Sequence, residues 1–144
     1  MKIAICSPYD FSFPGGVQSH ILEFSKELII KGHEVTIFAP LSNKNIHEAK
    51  YVNFYNLGKT LAFSFLGSKP RITLNVFKMI SCIKFIKKNK FDIVHLHEPL
   101  IPSQIIINLF ISKKKLIGTF HSYGDKNNYV YIYFNKILSY FIKR

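Results

Sequence analysis

KIAICSPYDFSFPGGVQSHILEFSKELIIKGHEVTIFA, residues 2–39, carries the fold. Lys2–Ser7 is a short apolar run closed by Pro8, which reads as a buried strand. Pro14-Gly15-Gly16 is a turn. From Val17 to Lys31 the apolar residues Val17, Ile21, Leu22, Phe24, Leu28 and Ile29 recur at helical spacing, and Gly32 is placed to end that helix. Glu34–Ala39 is a second apolar run, stopped by Pro40. A strand, a helix and a strand joined by short loops make a parallel unit, because only a crossover can return the chain to the same end of the sheet.

The same alternation continues outward. Tyr51–Tyr55 reads as a third strand, and Gly58, Gly67 and Pro70 punctuate a stretch, Leu57 to Asn75, that suits short hairpin strands. Val76–Lys90 is expected to be a helix, Phe91–Leu96 a strand, Pro102–Ser112 a helix, Leu116–Phe120 a strand and Tyr129–Arg144 a last helix. The expected fold class is therefore α/β, a Rossmann-like doubly wound parallel sheet with helices on both faces.

Composition narrows the classes. With 144 residues, 48% of them hydrophobic, the chain is one domain that can build a core, neither disordered nor dependent on disulfides. Cys6 and Cys82 both fall inside apolar patterns and are expected as buried free thiols. The formal net charge is +12, and 18 of the 20 basic residues are lysine. Such an excess attracts phosphates, nucleic acid or an anionic membrane surface. Heavy use of Ile, Lys and Asn points to a codon bias behind part of it. Nucleic acid is disfavoured because the lysines are scattered and no nucleic-acid motif is present. No stretch reaches the roughly 18–20 apolar residues of a membrane span, and the apolar start is too short for a signal peptide. The expected location is cytoplasmic.

Three polar motifs follow predicted strands. Ser7-Pro8-Tyr9-Asp10 … Pro14-Gly15-Gly16-Val17-Gln18 leads into the first helix. Unpaired N–H groups and the positive dipole end make a helix N-terminus attractive to anions, and two glycines let a ligand come close. A plain turn and helix start would look the same. His95-Leu96-His97-Glu98-Pro99 closes the fourth main strand, with His95 and His97 on one face. A metal site would need His121 and Glu98 to complete its ligands. The expectation is instead no metal, a semi-buried His95, and His97 and Glu98 on the rim of a cleft, joined there by Ser122 from Thr119-Phe120-His121-Ser122 after the fifth. All three motifs lie where open parallel sheets bind ligands, beyond the C-terminal ends of the strands.

The helix Val76–Lys90 carries the remaining signal. A period of 3.6 places Val76, Met79, Ile80, Ile83 and Ile86 on a core face, and Lys78, Ser81, Lys84 and Lys88 opposite, with Phe77 and Phe85 among them. Lysines interleaved with aromatics suit a helix lying on anionic lipid, and equally a solvated basic face. Lys78, Lys84, Phe85 and Lys88 are the candidate membrane contacts.

CSPYDFSFPGGVQSHILEFSKELIIKGHEVTIFAP (residues 6–40), FDIVHLHEPLIPS (91–103) and GTFHSY (118–123) together resemble the N-terminal domain of glycosyltransferase family 4, in its phosphatidylinositol mannosyltransferase-like subgroup. The resemblance implies the N-terminal half of a GT-B enzyme, in which two Rossmann-like domains face each other across a cleft. It implies a retaining transfer from a nucleotide sugar, as substrate and not as a tightly bound cofactor, to a lipid-linked or membrane-proximal acceptor, a lipid or a glycan. By the same resemblance, Gly15 and Gly16 would meet the donor diphosphate, and His121 would be the catalytic residue at the donor sugar. Tyr9, Gln18 and Arg71 would bind the acceptor. The helix Val76–Lys90 would dock on the inner face of the cell membrane. The chain ends at Arg144, before the family's nucleotide-sugar-binding domain. The expectation is thus an incomplete sheet, with Leu116–Phe120 as an exposed edge, and a domain inactive alone. A separate chain could carry the other half. The competing class is a non-catalytic membrane- or partner-binding module from a split or truncated gene.

Overall fold

The computed structural model describes residues 1–43, 50–62, 71–111 and 115–121. The expected helix Tyr129–Arg144 and Ser122 lie outside these residues. Along the chain run β1 (Lys2–Cys6), α1 (Gly16–Ile30), β2 (Glu34–Ala39), β3 (Asn53–Asn56), β4 (Leu61–Ala62), β5 (Arg71–Ile72), α2 (Val76–Lys88), β6 (Ile93–His97), α3 (Pro102–Phe110) and β7 (Leu116–Thr119).

Five strands form one parallel sheet in the order β3-β2-β1-β6-β7. Ala4 at its centre faces Thr36 on one side and Val94 on the other. The chain steps outward from β1 to β3, then crosses back through α2 to set β6 beside β1. Strand order reverses there, so the crevice beyond the ends of β1 and β6 is the place such a sheet offers a ligand. β4 and β5 form the small antiparallel pair anticipated between Leu57 and Asn75.

Period-two alternation splits the core. Ile3, Ile5, Val35, Ile37 and Ala39 point to α1, where Ile21 is buried and Val17, Leu22, Phe24 and Leu28 pack around it. Ala4, Cys6, Phe38, Val94 and Leu96 point the other way, to Met79, Cys82, Ile83 and Ile86 of α2 and Ile107 of α3. Both cysteines are buried free thiols, and contact with Cys82 together with burial pushes the Cys6 thiol up. α1 ends as anticipated. Gly32 takes φ +82°, and its N–H reaches Ile29 O at 2.9 Å while that of His33 reaches Leu28 O at 3.0 Å. Among the described residues no strand lies beyond β7 or β3 in the sheet, and Ile117 of β7 is exposed.

α2 departs from its expected face. The buried stripe is Met79, Cys82, Ile83 and Ile86, while Val76 and Ile80 are exposed. Cys82 takes the central position against Cys6, turning the helix so that Ile80 leaves the core. Phe85, a candidate membrane contact, is exposed on one side and packed on the other. It is 38% exposed, but its ring packs 5.0 Å from Tyr55 and 5.9 Å from Phe38, on the flank of the core. The outward aromatic is Phe77, 84% exposed, with Lys78, Lys84 and Lys88 also exposed. Asn75 caps the helix, its side-chain oxygen accepting the Lys78 N–H at 3.0 Å. Among the described residues no helix is long and apolar enough to cross a membrane.

Candidate functional site

The loop from β1 to α1 is built around a buried carboxylate. Asp10 Oδ1 accepts the Ser12 N–H at 3.0 Å and the Ser42 N–H at 3.2 Å. Oδ2 accepts the hydroxyls of Ser42 and of Thr60, the latter at 2.7 Å. Burial by itself would raise this carboxyl, but those hydrogen bonds outweigh it and hold the group below its ordinary value. One side chain thus ties three segments that are far apart in sequence.

This linkage has a sign. A carboxyl depressed in the folded state contributes stability above the unfolded value, about 4, and loses it as pH falls through the folded value. Asp10→Ala should cost about 1.5–3 kcal/mol at pH 7, as for hydrogen bonds to a charged group. In urea titrations of the full chain, the gap between wild type and variant should close in acid. A gap that is constant with pH would show that the carboxylate charge is not what holds the loops.

The loop is strapped to β5. Tyr9 forms an antiparallel bridge with Ile72, and the Asp10 N–H donates to Arg71 O at 3.2 Å. The Arg71 guanidinium lies 4.2 Å over the Phe13 ring. Arg71 and Tyr9, far apart in sequence, are therefore brought to one place. The Gln18 amide folds back to donate to Asp10 O at 3.2 Å. A Cβ on Gly15 would collide with that amide, whereas one on Gly16 would meet nothing within 4 Å. No side chain caps α1, so among the described residues its first N–H groups have no side-chain acceptor.

On the other side of the switch point four imidazoles cluster. His97 Nδ1 and His121 Nε2 are 2.6 Å apart, their rings stacked at 5.0 Å. His95 Nε2 bonds Thr119 Oγ1 at 2.7 Å, and the His95 and His97 rings are 4.4 Å apart. His20, on α1 one turn beyond Gly16, brings its ring to 5.2 Å from His121 and 6.0 Å from His97. The His121 N–H donates to the Glu98 carboxylate at 2.6 Å. Burial, reinforced by charge on the neighbouring imidazoles, lowers His97 to about 3 and also lowers His95. For His121 burial lowers, the Glu98 charge opposes and His20 adds to the lowering, with a net fall. Tyr9 is pushed up to about 12 by burial and then by the Glu98 charge, so its phenol remains a donor.

His97 and Glu98 therefore do not form a cleft rim, since both are buried. The pleat aims His97 at α1 beneath His20 and His121. Glu98 adopts φ +52°, the left-handed region, and its carboxylate holds the His121 N–H. His95, expected semi-buried, is buried as well. Sequence reasoning overlooked His20, although it stands four residues past Gly16 on the same helical face. It also gave Asp10 no task. Among the described residues no group of three or more His, Cys, Asp or Glu side chains is arranged to hold a metal ion. The site presents uncapped N–H donors, a phenol, and three imidazoles, His95, His97 and His121, held toward the neutral form, which is equipment for holding and stabilising an anionic or hydroxyl-rich ligand.

Comparison with known proteins gives the family and the fold. The family model described as Glycosyltransferase Family 4 matches residues 14–144. A phosphatidyl-myo-inositol mannosyltransferase of Propionibacterium freudenreichii subsp. shermanii is 34% identical over 126 residues, 85% of this chain and 33% of that protein. One from Mycobacterium tuberculosis is 33% identical over 127 residues, 88% of this chain and 33% of that protein. The chain thus spans about a third of the length of these relatives. Among solved structures, a glycosyltransferase from Rickettsia africae superposes with a TM-score of 0.58 at 22% identity, covering 95% of this chain and 34% of that one. MurG of Acinetobacter baumannii gives 0.54 at 13%, covering 94% and 39%. At these identities the structural likeness is one of fold. With the Rossmann-like sheet of a GT-B N-terminal half and a family match running from Pro14 to Arg144, the chain belongs to glycosyltransferase family 4.

Proposed function

We propose that residues 1–144 form the acceptor-side wall of a retaining glycosyltransferase that moves a sugar from a nucleotide-sugar donor to a lipid-linked or membrane-proximal acceptor. One observation carries this reading. His20, one turn into the uncapped helix α1, brings its ring to 5.2 Å from the part-exposed His121, so the start of that helix and the imidazole cluster share one end of the sheet. In such a transfer negative charge develops on the leaving diphosphate, and fixed N–H donors aimed there lower the barrier. Gly15 and Gly16 supply that backbone, and His121 meets the donor sugar. Tyr9, Gln18 and Arg71 line the acceptor side, where the protonated phenol suits a polyol headgroup. The nucleotide is gripped by a second domain, in the rest of a family-length chain or in a separate chain. The donor comes and goes as a substrate; no tightly held cofactor takes part.

The test is a family-length enzyme carrying this domain, given nucleotide sugars and phosphatidylinositol vesicles. Sugar should enter the lipid phase with the donor's anomeric configuration kept. Inversion, or transfer to soluble acceptors alone, would overturn the reading.

The outer face of α2 supports the membrane part, and with it a peripheral position on the inner face of the cell membrane. Phe77, Lys78, Lys84 and Lys88 share solvent there. Basic residues at an anionic surface contribute about 1 kcal/mol each. The protein should sediment with anionic vesicles, be released by salt, and lose binding when Lys78, Lys84 and Lys88 become Glu. Sedimentation that survives the triple change would remove α2 from this role.

A further inference from the structure

His121 is bound at both ends, and what binds it also decides where its proton sits. A hydrogen bond between two imidazole nitrogens needs one protonated nitrogen and one bare one. His97 Nδ1 and His121 Nε2, 2.6 Å apart, allow two arrangements. If His121 Nε2 donates, the single proton of neutral His97 must sit on its Nε2. That atom is buried with no hydrogen-bond partner among the described residues, so a donor would be stranded inside the protein. If His97 Nδ1 donates, the stranded group is only a lone pair, and His121 carries its proton on Nδ1. A buried N–H without an acceptor is the rarer defect in folded proteins. His97 cannot turn to relieve it, being fully buried with rings 4.4 and 5.0 Å away.

We propose that His97 is a positioning residue that locks His121 in its Nδ1–H tautomer, so that His121 meets the donor sugar as a neutral hydrogen-bond donor and not as a general base. The inference rests on the placement of His121 at the reacting centre. Glu98 completes the mounting by holding the His121 backbone N–H at 2.6 Å.

The lock also keeps the imidazole uncharged. Protonating His121 puts a proton on Nε2, reverses the bond and creates the stranded donor on His97. The groups facing the pair act mostly in the same direction. His20 from α1 and His95 from β6 disfavour further positive charge, while Glu98 after β6, with the Tyr9 phenol beside it, opposes them. The balance lowers both His97 and His121.

The test is nitrogen-15 NMR of the histidine side chains in the full chain, in which long-range couplings distinguish the two tautomers. Wild-type His121 should be Nδ1–H. His97→Gln moves the amide to the Nε2 position and removes the Nδ1 donor. There His121 should shift toward Nε2–H and titrate at higher pH. His97→Asn keeps an N–H near the Nδ1 position and should restore the wild-type tautomer. In a family-length enzyme, His97→Gln should lower kcat about 10- to 100-fold, as losing the partner that orients a metal-bound histidine does. KM should hardly change, the acid limb of the pH–rate profile should move up, and His97→Asn should recover most of the rate. An Nε2–H tautomer in the wild type, or the same tautomer and rate in the Gln and Asn variants, would overturn the proposal. If His97→Gln does not fold, the wild-type tautomer decides. Full activity of His121→Ala would defeat the role of His121 while leaving the tautomer result intact, so the two failures can be told apart.

Discussion

Residues 1–144 by themselves are expected to transfer no detectable sugar. The described site has one wall: the α1 N-terminus, the loop tied down by Asp10, and the imidazole cluster at the ends of β6 and β7. A bimolecular transfer draws about 7–11 kcal/mol from holding its reactants in line, and that requires a second surface to hold the donor. Without it the reacting centre also stays in water, where each N–H donor acts more weakly than in an enclosed site. At best a nucleoside diphosphate should bind weakly over Gly16. The measurement is turnover of nucleotide sugar by the purified 144-residue chain, its mass confirmed, beside the family-length enzyme. Robust turnover by the short chain would mean that it completes the cleft unaided, and the division of labour proposed above would be wrong.

In the family-length enzyme, His121→Ala should slow transfer by roughly 10²–10³, the usual loss for one electrostatic donor at a developing charge. The fold should survive, because His121 is part-exposed and its backbone bond to Glu98 does not depend on the ring. The loss should fall on kcat more than on KM, since the proposed contact would strengthen as charge develops. Circular dichroism and the urea midpoint of the variant separate the alternatives. A normal rate, or a protein that simply unfolds, would make His121 a structural residue.

Much of this arrangement was legible before any coordinates. The β1–α1–β2 unit follows from a short apolar run, a glycine turn, a 3.6-residue period and Gly32, all local signals. The convergence of three motifs on one end of the sheet follows from their places after strands. What was not legible depends on which side chain wins a shared space. Val76 and Ile80 fit the helical period as well as Cys82 does, but Cys82 is the one that meets Cys6 in the core, a contact 76 residues apart in sequence. The packing of the Phe85 ring against Tyr55 comes from another strand and leaves no local signal. His97 and Glu98 looked like rim residues because polar groups at strand ends usually are. Their burial depends on the left-handed turn at Glu98 and on His20 arriving from α1, contacts with long separations in sequence. Asp10 was quoted within a motif, but its partners Ser42 and Thr60 lie 32 and 50 residues away.

The strap of β5 against the first loop has a mechanical consequence. Ile72, which bridges Tyr9, is followed by only Thr73, Leu74 and Asn75 before α2 begins. At 3.3–3.6 Å per residue such a leash, even fully stretched, reaches about 14 Å. Nor is it slack, since the Thr73 hydroxyl is pinned to Leu57 O at 3.3 Å and the Asn75 N–H to Thr73. On the membrane role proposed above, the Tyr9 loop would ride within that short reach of the surface on which α2 rests. The domain is built like a gauge, with its foot and its working edge set a constant short distance apart.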